Sequence, residues 1–500
     1  MRIPLILLFA AVACAQQNPA AHAARQWREG HEREILREFA GLLALPNLAS
    51  DTPNIRRNAE AIAAMFEKRG VKTRLLETAG APPVVYGEIA TPGATRTVVF
   101  YAHYDGQPLD PKEWASPPWQ PVFRDRPVEK DGRIVELSST GRIDPKWRLY
   151  ARSASDDKAP IVAVAAALDA MKAAGVLLRQ NVKFVFEGEE EGGSPHLAQI
   201  LTKNRDLLRG DVWLICDGPV HQSRRQQIVF GARGIVTLNV VVYGPNRELH
   251  SGHYGNWAPN PAMMLSRLLA SMKDDDGRVT ISGFYDGVAP LSGTERRAIA
   301  EAPDTDRDLM RELSLGRTEG GGKKLVELLN LPSLNIRGMS SARTGAGASN
   351  VIPSTATATI DIRLVKGITP EMASQRVLDH IRAQGYHVVS NDPDAATRLS
   401  HPKVVKVEVE RSGYNASRTP MDLAISQLVL RVAGEVRGPV VKLPTMGGSV
   451  PLYMIDEVLH VPMILTPIAN HDNNQHSFNE NLRIQNLWDG IELMAGLLAM

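Results

Sequence analysis

Five potential metal ligands stand in order along the chain: His103 in FYAHYDGQ, Asp156 in SASDDKAP, Glu191 in FEGEEEGGS, Asp217 in LICDGP and His476 in NQHSFNE. Each follows an apolar run with the texture of a buried strand, or lies in a polar loop, so they can converge where strands end. Two imidazoles and three carboxylates suit two divalent cations. They divide into two sets of three that share one carboxylate, leaving room for a water between the ions.

Each motif also has a plainer reading. His103 alone would be an ordinary polar residue after a strand, but Asp105, two residues on, can hold the second nitrogen of a ligating imidazole. Asp156 and Asp157 precede a helical stretch, where one can serve as an N-cap and leave the other to bridge cations. Glu187, Glu189, Glu190 and Glu191 crowd the end of the apolar run 182–186. A solvated acidic loop would tolerate that crowding; a metal pair would relieve it, with one glutamate coordinating and its neighbour free to take a proton from water. His471 is a lesser candidate in the His476 loop, and Cys216, ahead of Asp217, reads as a small buried hydrophobe.

The elements that must carry these residues alternate. Helical periodicity covers 24–45, 54–69 and 159–174, and short β-rich runs cover 71–76, Val84–Ile89, 97–101, 182–186 and Val212–Ile215. Strands alternating with helices predict an α/β fold with a mostly parallel sheet and helices on both faces. From about 231 to 410 the texture changes. Residues 235–243 and Thr355–Leu364 alternate like half-exposed antiparallel strands, which predicts an inserted α+β domain over 231–412. A first part over 24–230 and a second over 413–500, with a helix at 420–433, a strand at 461–466 and a helix at Ile484–Leu498, would complete the main domain. The Gly-, Asp- and Arg-rich segment 274–322 reads as an elaboration of the insert.

A chain of 500 residues, 43% hydrophobic, can bury a large core and should form more than one domain. Its net charge of +2, with mixed signs throughout, offers no basic stripe for nucleic acid. The opening MRIPLILLFAAVACAQQ has the form of a signal peptide ending at Ala15, or of a lipid attachment at Cys14. Either predicts an exported protein, periplasmic or secreted, since the apolar run falls short of the roughly 20 residues a membrane span needs. With only Cys14 and Cys216 there is no disulfide framework, so stability must come from the core and bound metal.

The motifs AHYDGQPLDPKEW, SASDDKAPI, FEGEEEGGS, CDGP, GARGIVTLNVVV, LHSG, SNVIPSTATATIDIRLV, GGSVP and HSFNE occur in that order over nearly the whole chain. The set resembles the dinuclear zinc peptidase family of carnosinases, cytosolic nonspecific dipeptidases, aminoacylases and succinyl-diaminopimelate desuccinylases, with HYDGQP and IRLV nearest the carnosinase type. The resemblance implies a zinc-exopeptidase-like main domain with an inserted lid and dimerisation domain. It also implies two divalent ions per chain, zinc first, with manganese or cobalt as alternatives. His103, Asp156 and Asp217 would hold one ion and Asp156, Glu191 and His476 the other, with Asp156 as the bridge and its peptide to Asp157 cis.

By the same resemblance Glu190 would be the general base and Asp105 the carboxylate behind His103. His250 would cross a homodimer interface to stabilise the oxyanion in the partner's site. Asn350 and Arg363 would hold the substrate's terminal carboxylate, with Gly448 and Ser449 lining the same pocket. Alternation within Thr355–Leu364 separately puts Arg363 on the polar face, where a guanidinium can clamp a carboxylate. The implied reaction is hydrolysis of dipeptides or short peptides by a metal-bridging hydroxide. The same site could serve an N-acyl amino acid amidohydrolase, whereas a silent peptide-binding protein would have no use for a free glutamate beside the ligands. The chain departs from the family at Ala151, Arg152 and Ser153, where Gly-Arg-Gly is usual, and at Ala159, where Gly is usual. Segments 124–148 and 274–322 are longer than expected and could reshape the cleft.

Overall fold

A computed structural model of the protein describes residues 18–138, 141–448, 450 and 452–500; the N-terminal leader reading, with Cys14, and Ser449 lie outside them. Eight strands form one sheet in the order Lys72–Leu76, Val84–Ile89, Asn181–Glu187, Thr97–His103, Val212–Ile215, Met463–Leu465, Gln227–Val229 and Val441–Leu443. The sheet is mixed. Its four central strands, from Asn181–Glu187 to Met463–Leu465, are mutually parallel, while Lys72–Leu76 and Val84–Ile89 run antiparallel at one edge. Apolar side chains along Thr97–His103 serve two cores in alternation: Val98, Phe100 and Ala102 enter one, Val99 and Tyr101 the other. That is the pattern of a strand covered on both faces. Helices Pro19–Leu43, Lys158–Ala173 and Ile484–Leu498 pack together on the first face, and Leu197–Lys203 and Leu452–Leu459 on the second.

A second sheet has the order Ser333–Ser340, Thr355–Leu364, Gly234–Tyr243, Val404–Val409 and His387–Val389, antiparallel except for its last pair. Ala356, Ala358, Ile360, Ile362 and Leu364 point into a third core under helices Pro261–Ala270 and Pro370–Ala383. The alternation read from the sequence is therefore a one-sided sheet.

Two expectations need correction. Segment 274–322 contains a helix, Gly293–Glu301, started by a reciprocal Ser292–Glu295 cap. It lies against the strand Val441–Leu443 at the edge of the large sheet, with Lys442 3.5 Å from Glu301, so it covers the main sheet rather than only elaborating the insert. The helix expected from 420 begins at Ala424, after Pro420.

A small antiparallel sheet has the consequence that matters most for the site. Asn481–Arg483 pairs with Arg148–Tyr150, which pairs with Val122–Arg124 and then Ile134–Val135. In the register Asn481 opposite Tyr150, the chain leaving toward Asp156 and the chain arriving from His476 meet at one end of the pair.

Candidate metal centre

The large sheet supplies two of the converging groups directly. Tyr101 is paired with Ile215 across parallel strands, so His103 and Asp217, each two residues further, emerge side by side. His103 is also paired with Glu187, after which the chain turns through the short helix Glu190–Gly192 and presents Glu190 and Glu191. Asp105 fixes that turn, accepting hydrogen bonds from the backbone N–H of Glu190 at 3.1 Å and Glu191 at 3.0 Å.

The opposite wall is tied by Glu480, which is completely buried. Its carboxylate accepts hydrogen bonds from Arg152 Nη1 at 2.9 Å and from the backbone N–H of Ser153 at 2.8 Å, Ser155 at 2.9 Å and Asp156 at 3.0 Å. Within that loop Ser153 has φ 62°, a region where glycine is normally used. Asn47 donates to its hydroxyl at 2.8 Å. This is where the departure from Gly-Arg-Gly falls, on a turn rather than on a ligand.

Asp156 lies between the two imidazoles. Its Oδ1 is 3.0 Å from His103 Nε2 and its Oδ2 is 3.1 Å from His476 Nε2, which is itself 3.3 Å from Glu191 Oε2. Donor atoms of His103, Asp156 and Asp217 all lie within 4.8 Å of one another, and so do those of Asp156, Glu191 and His476. Glu190 belongs to neither set; its Oε2 is 4.0 Å from His103 Nε2. Asp105 backs His103, with Oδ1 3.4 Å from Nδ1. The Asp156–Asp157 peptide is cis. Asp157 occupies the N-cap position of the helix Lys158–Ala173 without making a side-chain cap bond, so capping accounts for neither aspartate.

The electrostatics suit cations. Burial pushes Glu190 well above the usual carboxylate range, Glu191 up to about 8 and Asp217 up to about 6. For Asp156 burial acts in the same sense but is overcome by His103 and His476, which hold it below the usual range. His476 is raised to about 9, chiefly by Asp156. Asp157 Oδ1 is buried without a hydrogen bond, and Asp156 Oδ2 is buried beside His476 Nε2. A buried carboxylate cluster driven towards neutrality, with two imidazoles among it, is a donor set that divalent cations would neutralise.

Asp156, Glu190, Glu191, Asp217 and His476 line a cleft of about 390 Å³ together with Gln107, Gly218, Arg363, Tyr414, Met446, Gly448, Val450, Tyr453 and Gln475. Gln107 Nε2 donates to Glu191 at 2.8 Å. Arg363 is half-buried, 3.6 Å from Asp361. His250 and Asn350 are exposed on the second sheet's side and do not line this cleft; the His250 ring lies 4.5 Å from that of His253, and the Asn350 carbonyl accepts the Ser251 N–H. Cys216 is buried just past the strand Val212–Ile215 and His471 lies outside both donor sets. Sequence reasoning did not single out Gln107, Glu480, Tyr414 or Tyr453. Glu480 stood in HSFNE, but only the pairing of strands shows what its carboxylate holds.

The description of peptidase family M20/M25/M40 matches residues 99–500. The chain belongs to this family. It is 27% identical over 423 residues to the Cys-Gly metallodipeptidase DUG1 of Candida albicans, covering 83% of this chain and 81% of that protein. It is 27% identical over 426 residues to the human Beta-Ala-His dipeptidase, covering 83% of this chain and 76% of that one. The M20 family metallo-carboxypeptidase Sso-CP2 of Sulfolobus solfataricus has a similar structure, with a TM-score of 0.74 and 26% identity over 93% of this chain and 98% of that one. The protein is a metal-dependent peptidase of the M20 family, and each of its two donor sets could hold a metal ion.

The expectation of export is corrected by the same matches. Similarity to the yeast Cys-Gly metallodipeptidases and to the Beta-Ala-His dipeptidase gives no support to a periplasmic, secreted or lipid-anchored protein. A short apolar run is compositional evidence only, and here it is outweighed. Among the described residues no helix is long and apolar enough to cross a membrane.

Proposed function

We propose that this M20 peptidase is a dipeptidase in which Glu190 is the general base. The observation that carries the reading is the placement of Glu190: it lines the cleft beside both donor sets, belongs to neither, and is oriented by Asp105 through its backbone N–H. A carboxylate that coordinates nothing is available for proton transfer.

His103, Asp156 and Asp217 would hold one cation and Asp156, Glu191 and His476 the other, with Asp156 offering one oxygen to each set. Two divalent ions bound there would neutralise the carboxylates, polarise the scissile carbonyl and lower the pKa of water. Glu190 takes the proton of the attacking water and passes it to the leaving amine nitrogen. Arg363 receives the substrate's terminal carboxylate in a two-pronged hydrogen bond, near Gly448, and so aligns the peptide with the base. Residues 231–412 form the insert, through which two copies pair so that His250 reaches the partner's cleft as an oxyanion donor, with Asn350 beside it.

The test is turnover by purified protein, supplied in turn with zinc, manganese or cobalt, of a panel of dipeptides and N-acetyl amino acids. Dipeptides are expected to be cleaved with the higher kcat/KM. Protein carrying two ions per chain that cleaves only the acetylated substrates would overturn the dipeptidase reading in favour of an amidohydrolase.

A further inference from the structure

The cleft wall away from the donor sets is aromatic. Tyr414 and Tyr453 stack with centroids 4.7 Å apart and planes inclined by 6°, and both line the cleft with Met446 and Val450. They come from different elements. Tyr453 stands in the helix Leu452–Leu459, and Tyr414 lies in the return segment after Val404–Val409.

Register fixes where this wall stands relative to Arg363. Ile235 is the direct partner of Arg363 on one side and of Tyr414 on the other, with Ile235 N–H donating to the Tyr414 carbonyl at 3.1 Å and the reciprocal bond at 2.9 Å. Residues directly opposite one another in antiparallel pairs project to the same face. Arg363 and Tyr414 therefore share a face, separated by two strand spacings, roughly 10 Å between backbones. A residue whose carboxylate rests on Arg363 has its side chain within reach of the two rings.

The charges around that position largely balance. Arg233 lies near Arg363, while Asp361 is 3.6 Å from Arg363 and Glu457 lies near Tyr453, so the lining surface rather than net charge selects among side chains. The carboxylates of the cleft belong to the donor sets and to Glu190. What remains at the wall is aromatic face, a thioether and a valine, a surface that gains from burying apolar area and from ring stacking.

We propose that Tyr414 and Tyr453 are the specificity wall for the carboxyl-terminal residue of the substrate, selecting dipeptides whose second residue is aromatic or large and aliphatic. This rests on the dipeptidase reading with Arg363 as the carboxylate clamp.

The experiment measures kcat and KM for Ala-Phe, Ala-Leu, Ala-Gly and Ala-Lys with the zinc-loaded wild type and the variants Tyr453→Ala, Tyr453→Phe and Tyr414→Ala, each checked for an unchanged circular dichroism spectrum. Wild type is expected to prefer Ala-Phe and Ala-Leu to Ala-Gly and Ala-Lys by about 10-fold or more in kcat/KM. In each alanine variant the Phe-to-Gly ratio should fall at least 5-fold, mainly through KM, while Tyr453→Phe should retain it. Should Tyr453→Ala fail to fold, Tyr453→Leu replaces it, with a fall in the Phe-to-Gly ratio below that of Tyr453→Phe as its readout. If dipeptides are cleaved but the ratios are the same in wild type and variants, the wall is refuted and the dipeptidase reading stands. Absence of cleavage of any dipeptide by metal-loaded wild type overturns both.

Discussion

Replacing Glu480 with glutamine tests whether the site is held together from behind. The amide keeps the side chain's shape and one acceptor oxygen, which can still serve Ser155 N–H and Oγ at 2.9 Å and Asp156 N–H at 3.0 Å. The other oxygen becomes an NH2 facing Arg152 Nη1 and the Ser153 N–H, two donors that now meet a donor. Arg152 is 2% exposed, so its charge loses its partner inside the protein. Breaking a buried pair from one side costs about 3–5 kcal/mol, and leaving a buried N–H unsatisfied costs about 1–3 kcal/mol. Arg152 keeps its position over the Trp114 ring, 5.0 Å from the centroid, which offsets part of the loss.

We expect about 4 kcal/mol of destabilisation in the metal-free protein. Because the loop that moves carries Asp156, metal affinity should also fall by about 10- to 100-fold, the usual effect of losing a group that orients a ligand. Chemical denaturation of chelated wild type and variant gives the first quantity, and competition with a chromophoric chelator gives the second. An unchanged denaturation midpoint together with unchanged metal affinity would refute the argument that Glu480 orders the Asp156 loop.

Four further outcomes are expected. Glu190→Gln should lose about 100-fold or more in turnover while elemental analysis still finds two ions per chain; loss of metal would instead make Glu190 a ligand. Asp156→Ala should bind neither ion, whereas His103→Ala and His476→Ala should each lose mainly one; a full complement in Asp156→Ala would pass the bridging role to Asp157. Without metal, Glu191 at about 8 and Asp217 at about 6 lie above unfolded values near ~4. The fold then holds protons that the unfolded chain has released, and stability should fall as pH rises from about 4 through 8. His476, raised to about 9, acts in the same direction, with its contribution lost as pH rises through that value. Chelated protein should thus melt lower at pH 8.5 than at pH 5.5, with the difference reduced by zinc; a higher melting temperature at the more alkaline pH would contradict this. Finally, mixing inactive His250→Ala with inactive Glu190→Gln and allowing subunits to exchange should restore part of the activity; none, in a preparation shown by mass to contain mixed dimers, would remove His250 from the partner's site.

Much of the fold could be read from periodicity because the buried strands are short, apolar and followed by chemistry. Val84–Ile89, Val212–Ile215, Thr355–Leu364 and Ile484–Leu498 have the bounds their apolar runs or alternation suggest. Gly293–Glu301 was invisible for the opposite reason. Its sequence GTERRAIAE buries little beyond Ala298 and Ile299, so its cap is a stronger signal than its hydrophobicity. The grouping of the five ligand candidates depended on motif order. Their types and spacing alone allowed two sets of three, but could not say which carboxylate was shared. Tyr414 and Tyr453 left no trace, because they stack across segments far apart in sequence, beside a hydrogen bond that Asn415 donates to Glu457 at 2.8 Å.

The long segment 124–148 serves the scaffold of the site rather than the cleft. From its length it could have reshaped the cleft, yet none of its described residues lines that cavity. Its strands extend the small sheet whose pairing of Arg148–Tyr150 with Asn481–Arg483 brings the Asp156 and His476 loops together. Arg148 also donates to Asp472 Oδ2 at 2.5 Å, and Arg483 reaches the same carboxylate at 2.9 Å and 3.0 Å. These bonds overcome the effect of burial and hold Asp472 below the usual carboxylate range. The His476 loop is thus anchored at Asp472 by two arginines from the small sheet and at Glu480 by the loop of Asp156 itself. His476 is half-exposed and touches the other candidate ligands only through its ring, so its backbone cannot rely on burial for position. The added segment supplies a scaffold for that outer ligand, and the task of discriminating substrates falls instead to the wall beyond Arg363.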